Sequence, residues 1–283
     1  MAVLASVAVL IVHLPAFAHQ LLDGDEAVYG SIAALMNQGG ALYGDGGVDN
    51  KPPGIFWTYA ATFDLFGNYQ MTAVHLLALV VTAATCVLLF FIGRSISSPR
   101  AGLLAATFYG LLTATGNPRL LAANTELFMT LPLTAGFLLL LRRQWLWSAL
   151  LMVVAGAFKQ VAAAEVLLLP VGLLVLEARG ARMQAAARFG AGILIGLAVG
   201  AAALALTGSL SGFWRWTVET LTSGPLKSWR WRGSRCRSWD PWPAATGRGT
   251  TSSRRWPRLR CSPASPSIAR WIHPGGAGSP PLF

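Results

Sequence analysis

A run of 22 residues, Met71–Ile92, contains no Asp, Glu, Lys or Arg. As a helix it would be about 33 Å long, close to the thickness of a bilayer's hydrocarbon core. Six further apolar segments accompany it: Ala2–Ala18, Ala101–Thr115, Leu120–Leu141, Trp145–Phe158, Val161–Leu176 and Phe189–Leu206. A full span takes about 20 residues. Met71–Ile92, Leu120–Leu141 and Phe189–Leu206 meet that length, Ala2–Ala18 sits at its lower limit, and the other three are short. Trp145–Phe158 and Val161–Leu176 could form a re-entrant pair, which would leave the topology elsewhere unchanged. Of the 283 residues 54% are hydrophobic and 12% charged, against about 25% charged in soluble domains. The expected fold is an all-α polytopic membrane protein with about seven transmembrane segments.

The net charge of +11 does not indicate a nucleic-acid partner, because of where it lies. Residues 1–224 hold 11 Lys/Arg and 10 Asp/Glu, whereas residues 225–283 hold 11 Lys/Arg and only Asp240. The chain therefore divides into a membrane-embedded body, 1–224, and a basic tail, 225–283. The tail is rich in Arg, Trp, Ser and Pro and has no helical period. It reads either as a disordered basic arm drawn to anionic lipid or as out-of-frame translation of a longer, multi-span protein. Its six tryptophans favour the second reading. The three cysteines, Cys86, Cys236 and Cys261, form neither a disulfide framework nor a metal-binding spacing.

Cations orient the body. With a cytoplasmic N-terminus, the inner loops carry Arg94, Arg100, Arg142, Arg143, Arg179, Arg182 and Arg188, and the outer connections carry Lys51, Arg119 and Lys159. The 20–70 loop is then external. A rival reading takes Ala16-Phe17-Ala18 as a signal-peptidase site, but no cation precedes it.

That loop opens with Asp23-Gly24-Asp25-Glu26-Ala27-Val28-Tyr29-Gly30. Asp23 and Glu26 have the spacing of a capping box, with Asp23 as N-cap. The cap does not need Asp25, which could take a proton from an acceptor hydroxyl or amine, as could Glu26. Asp-Gly-Asp could also hold a divalent metal. Farther on, Asp49-Asn50-Lys51-Pro52-Pro53-Gly54 fixes the backbone beside a lysine. Lys51 is either an interfacial anchor or an ammonium that binds a lipid phosphate. Arg119, Asn124 and Glu126 lie at the outer ends of the third and fourth segments, and Lys159 at the turn between the fifth and sixth. Glu126–Arg119 and Lys159–Glu165 pairs would be merely structural. Ionisable groups at membrane depth otherwise mark a site, and the topology carries Asp25, Lys51, Arg119, Glu126 and Lys159 towards one external surface.

The order Asp25-Glu26-x-x-Tyr29, Lys51-Pro52-Pro53, Arg119-x4-Asn124-Thr125-Glu126 and Phe158-Lys159 resembles the protein O-mannosyltransferase and aminoarabinose-transferase branch (family 39 type) of the GT-C glycosyltransferases, over residues 1–220. The resemblance implies a GT-C-like bundle whose first external loop forms juxtamembrane helices. It implies catalysis by Asp25 with Glu26 in support, and a carrier phosphate on Lys51. Tyr29, Arg119, Asn124, Glu126 and Lys159 would contact substrate. Asn124 stands where many relatives have an acid, leaving Glu126 as a substitute, and relatives carry further spans.

The expected activity is transfer of a sugar from a polyprenyl-phosphate donor to an external glycan, lipid or protein, in a bacterial inner membrane, and the resemblance implies that the transfer is inverting. No cofactor is expected beyond a divalent metal at most. A transporter or lipid flippase is the alternative of a different class, but it would place ionisable groups at the midplane of repeated halves. An inactive truncated product is a third.

Overall fold

The computed structural model describes residues 11, 13–113 and 121–219, without the side chains at 15 and 165–170; all belong to one compact unit, Met1–Thr222. Arg119, most of the first apolar segment and the basic tail lie outside the described residues.

Regular structure among the described residues is helical, beside one isolated bridge between Gly44 and Gly47. After a short 3-10 turn, Leu14–Ala18, come α1 (Gly24–Asn37), α2 (Gly54–Phe66), α3 (Met71–Ile96), α4 (Pro99–Thr113), α5 (Thr125–Leu141) and α6 (Trp145–Gly156). A 3-10 stretch, Gln160–Leu167, leads into α7 (Leu168–Leu176), followed by α8 (Arg182–Leu206) and a final turn. α3 and α4 pack as a hairpin, as do α5 and α6; α8 lies along α6, and α3 against α5.

Two of these helices, α3 with 26 residues and α8 with 25, are long and apolar enough to cross a membrane. Their burial separates them from the core helices of soluble proteins. Only 28% of the most apolar stretch of α3 and 17% of that of α8 is covered by protein. Leu76, Val80, Val87 and Phe91 on α3, and Leu194, Leu197, Val199 and Leu206 on α8, point outward. An apolar outer face is stable against lipid and unstable against water.

The fifth and sixth apolar segments are shorter as α-helices than as sequence, and the fourth has its long helix, α5, over only part of its length. In the fourth, expected over Leu120–Leu141, α5 starts only at Thr125. Just before it the Ala123 amide donates to a carboxylate on another helix, and Asn124 is extended. At its other end Arg143 takes a left-handed conformation, φ 59°, and reverses the chain into α6. The sixth segment starts as 3-10 and becomes α-helical only at Leu168.

α1 and α2 are the two helices that the 20–70 loop forms. They pack on each other through a core of Tyr29, Ile32, Ala33, Ile55, Phe56, Tyr59 and Phe63, all buried. Tyr29 meets Phe56 and Tyr59 edge-on at 5.7 Å between ring centres, the arrangement the ring quadrupoles favour.

Candidate active site

The site is built where α1 and α2 meet the first turn of α5 and the end of α6. Asp23 caps α1, accepting the Gly24 amide at 2.6 Å, so Asp25 and Glu26 lie in the first turn, where carboxylates suit the helix dipole. These two neighbours face opposite environments. The Asp25 side chain is 50% exposed, while that of Glu26 is 0% exposed.

Glu26 accepts three hydrogen bonds. The Leu22 amide donates to Oε2 at 2.7 Å, the Ala123 amide donates to Oε1 at 2.7 Å, and His75 Nε2 lies 3.1 Å from Oε1. This corrects the capping-box reading, in which Glu26 would serve only the start of its own helix. Burial pushes its carboxyl up, but the bonds from His75, Leu22 and Ala123 prevail and hold it below its ordinary 4.5. A depressed folded pKa contributes stability that is full above about pH 4.5 and is lost as pH falls through the folded value. Melting of the purified protein should therefore drop below pH 4.5 in a Glu26-dependent manner, and Glu26→Gln should flatten that drop. Identical acid profiles for the two proteins would disprove the assignment.

Asp25 points the other way. Lys51 Nζ lies 3.4 Å from its Oδ2, and the Tyr29 hydroxyl donates to the same oxygen at 3.3 Å. The ammonium also sits 5.0 Å above the Tyr29 ring, a cation–π contact. Burial, followed by the charges of Asp25, Asp49 and Glu126, raises the Tyr29 hydroxyl far above its ordinary value, so it stays a donor.

Lys51 is held from its backbone. Its carbonyl accepts the Tyr43 hydroxyl at 2.6 Å, and its amide donates to Asp49 Oδ1 at 3.1 Å. Just downstream, the Gly54 amide donates to the Ala157 carbonyl at 2.7 Å. A Cβ at position 54 would meet that oxygen at 2.6 Å, so this approach requires glycine. Gln160 adds a bond to the Asn50 carbonyl at 2.9 Å. The Lys51 loop and the Lys159 turn are thereby fastened together.

Lys159 pairs with Glu126, whose second oxygen accepts the Thr125 hydroxyl at 2.8 Å. The expected Glu126–Arg119 and Lys159–Glu165 pairs involve Arg119 and the Glu165 side chain, which lie outside the described residues. Asp23, Asp25, Asn124 and Glu126 line one cavity of about 510 Å³ together with Tyr109, Thr113, Leu127 and Thr130. A second, apolar groove of about 750 Å³ runs between α2, α3, α6 and α8 past Trp57, Leu77, Val153, Phe158 and Val199. Gly54, three residues from Lys51, and Phe158, adjacent to Lys159, are part of its wall.

The structure thus brings Asp25, Tyr29, Lys51, Asn124, Glu126 and Lys159 into one neighbourhood and turns Glu26 away from the cavity. Among the described residues no three metal-ligating side chains come together; Asp23 caps a helix and Asp25 faces Lys51. Sequence reasoning passed over His75. The available signal was an ionisable side chain in the first turns of a 26-residue apolar helix.

Residues 50–205, more than half of the chain, match the family model described as dolichyl-phosphate-mannose-protein mannosyltransferase. No curated protein matches the chain, and no solved structure does.

Proposed function

The chain belongs to the dolichyl-phosphate-mannose-protein mannosyltransferase family, integral membrane glycosyltransferases of the GT-C type, and on that premise we propose that its body, 1–224, moves a hexosyl or pentosyl group from a polyprenyl-phosphate carrier to an external acceptor. The observation that carries the reading is a half-exposed carboxylate, Asp25, lining a cavity shared with Asn124 and Glu126 and facing the Lys51 ammonium at 3.4 Å.

Asp25 takes the proton of the acceptor hydroxyl or amine as that atom attacks the anomeric carbon. The carbon–oxygen bond to the phosphate breaks, and its electron pair leaves with the phosphate oxygen. Lys51, with Lys159 close behind it on the fastened turn, stabilises that charge where it develops. Attack opposite the leaving phosphate inverts the anomeric centre. The apolar groove beside both lysines supports the lipid part of the reading: an isoprenoid chain can lie against Trp57, Leu77 and Val199 while its phosphate reaches the ammonium groups. Tyr29 orients Asp25, Glu126 holds Lys159, and Asn124 forms part of the cavity wall.

Membranes containing the chain should transfer radiolabel from polyprenyl-phosphate mannose to endogenous acceptor, and the wild-type protein failing to do so beside an active relative would reject the activity. The face of the membrane is tested separately. With the native cysteines replaced, Asn50→Cys should react with an impermeant thiol reagent in intact cells, and Ser97→Cys only after permeabilisation. The reverse pattern would put the site in the cytoplasm.

A further inference from the structure

His75 and Glu26 lie outside the cavity, buried at 2% and 0% exposure, yet they join three elements that frame it. The carboxylate of Glu26 is one residue from Asp25. Its Oε1 holds both His75 Nε2 of α3, at 3.1 Å, and the Ala123 amide, at 2.7 Å, just before Asn124 and Glu126. The Tyr59 hydroxyl of α2 grips the other side of the same turn, donating to the Ala123 carbonyl at 2.8 Å. An ionised carboxylate only accepts, so the proton of this bond is on His75 Nε2. The other ring nitrogen, Nδ1, is buried and has no hydrogen-bond partner, and a bare acceptor tolerates that better than an N–H would. This bond from the imidazole ties the start of α1 to α3.

We propose that His75 is a positioning residue for the transfer reaction: through Glu26 it sets where Asp25 stands relative to Glu126 in the cavity, without touching substrate. The proposal rests on the reading of Asp25 as the base. It extends that reading by making the depth of α3 in the membrane part of the active-site geometry. Loss of the bond frees the first turn of α1 while the α1–α2 aromatic core remains packed. The protein therefore stays folded, but the base is held loosely.

Two readouts test this. The first needs no substrate: in a background without native cysteines, the thiol of Asp25→Cys is alkylated in membranes with an impermeant maleimide. Adding His75→Leu should change the alkylation rate at least about threefold, and His75→Gln, whose amide N–H reaches a similar place, should restore it. The second is transfer from radiolabelled polyprenyl-phosphate mannose. His75→Leu should lower kcat by about 10–100-fold, the scale of a small misplacement of a reacting group, with donor KM within about twofold and melting still cooperative. Should His75→Leu fail to fold, Glu26→Gln serves instead and should show the same split. An unchanged alkylation rate in a folded variant, or a Gln replacement as impaired as the Leu one, overturns the proposal. If wild-type membranes transfer no sugar, the glycosyltransfer reading fails, while the alkylation rates still decide whether His75 positions residue 25.

Discussion

Asp25→Asn is expected to lower turnover about 10²–10⁴-fold, the usual worth of a positioned proton acceptor, while donor binding changes little. Asn is nearly the same size, can still accept from Tyr29 and keeps the helix start intact. What it lacks is the ability to take a proton from the acceptor. Because the side chain is half exposed and its partner is a single lysine at 3.4 Å, the substitution should cost less than about 1 kcal/mol of stability. Transfer of label from polyprenyl-phosphate mannose and donor binding are measured on the same membrane preparation. Near-normal turnover would remove Asp25 as the base, and Glu126, on the same cavity wall, would be the next candidate.

Lys51→Ala should act on both binding and turnover. The ammonium is present for the bound donor and for the departing phosphate, so donor affinity should fall about tenfold. Turnover should fall by a further factor of about 10², as for other preorganised groups at a developing anion. Lys51→Arg should recover part of both, since charge is kept while the contact with the Tyr29 ring changes. Unchanged donor affinity in Lys51→Ala would reduce Lys51 to an interfacial anchor. The two substitutions thus have different signatures, kcat alone against KM and kcat together, and that difference separates a base from a phosphate ligand.

Asp25 and Lys51 were legible as candidates because each departs from a local rule. Asp25 is an acid that the helix cap does not use, and Lys51 is a cation fixed by two prolines. The Asp25–Lys51 pairing was not legible, because 26 residues separate the partners and no local pattern encodes a distance across a loop. Lys159 illustrates the same limit. Its ammonium meets Glu126, 33 residues away, while a glycine without a Cβ lets the Gly54 and Ala157 backbones touch.

Glu26 marks the clearest division between the two levels. As residue N3 of α1 it fits a capping box, and next to Asp25 it reads as a second catalytic acid. Tertiary packing decides otherwise: His75 and Ala123, from 49 and 97 residues away, fill its acceptor sites. The same bond holds the Ala123 amide just before α5 begins at Thr125.

What the sequence by itself determined is the solvent and the local starts: apolar runs that only lipid suits, helix caps, and the segregation of cations. These follow from composition and short-range geometry, which need no fold to be evaluated. Which of two adjacent carboxylates faces substrate, which acid each lysine meets, and how much of an apolar run is helical were decided only by tertiary structure. Each of those outcomes is a competition between hydrogen-bond partners brought together from distant positions, and the strongest available donor prevails regardless of separation along the chain.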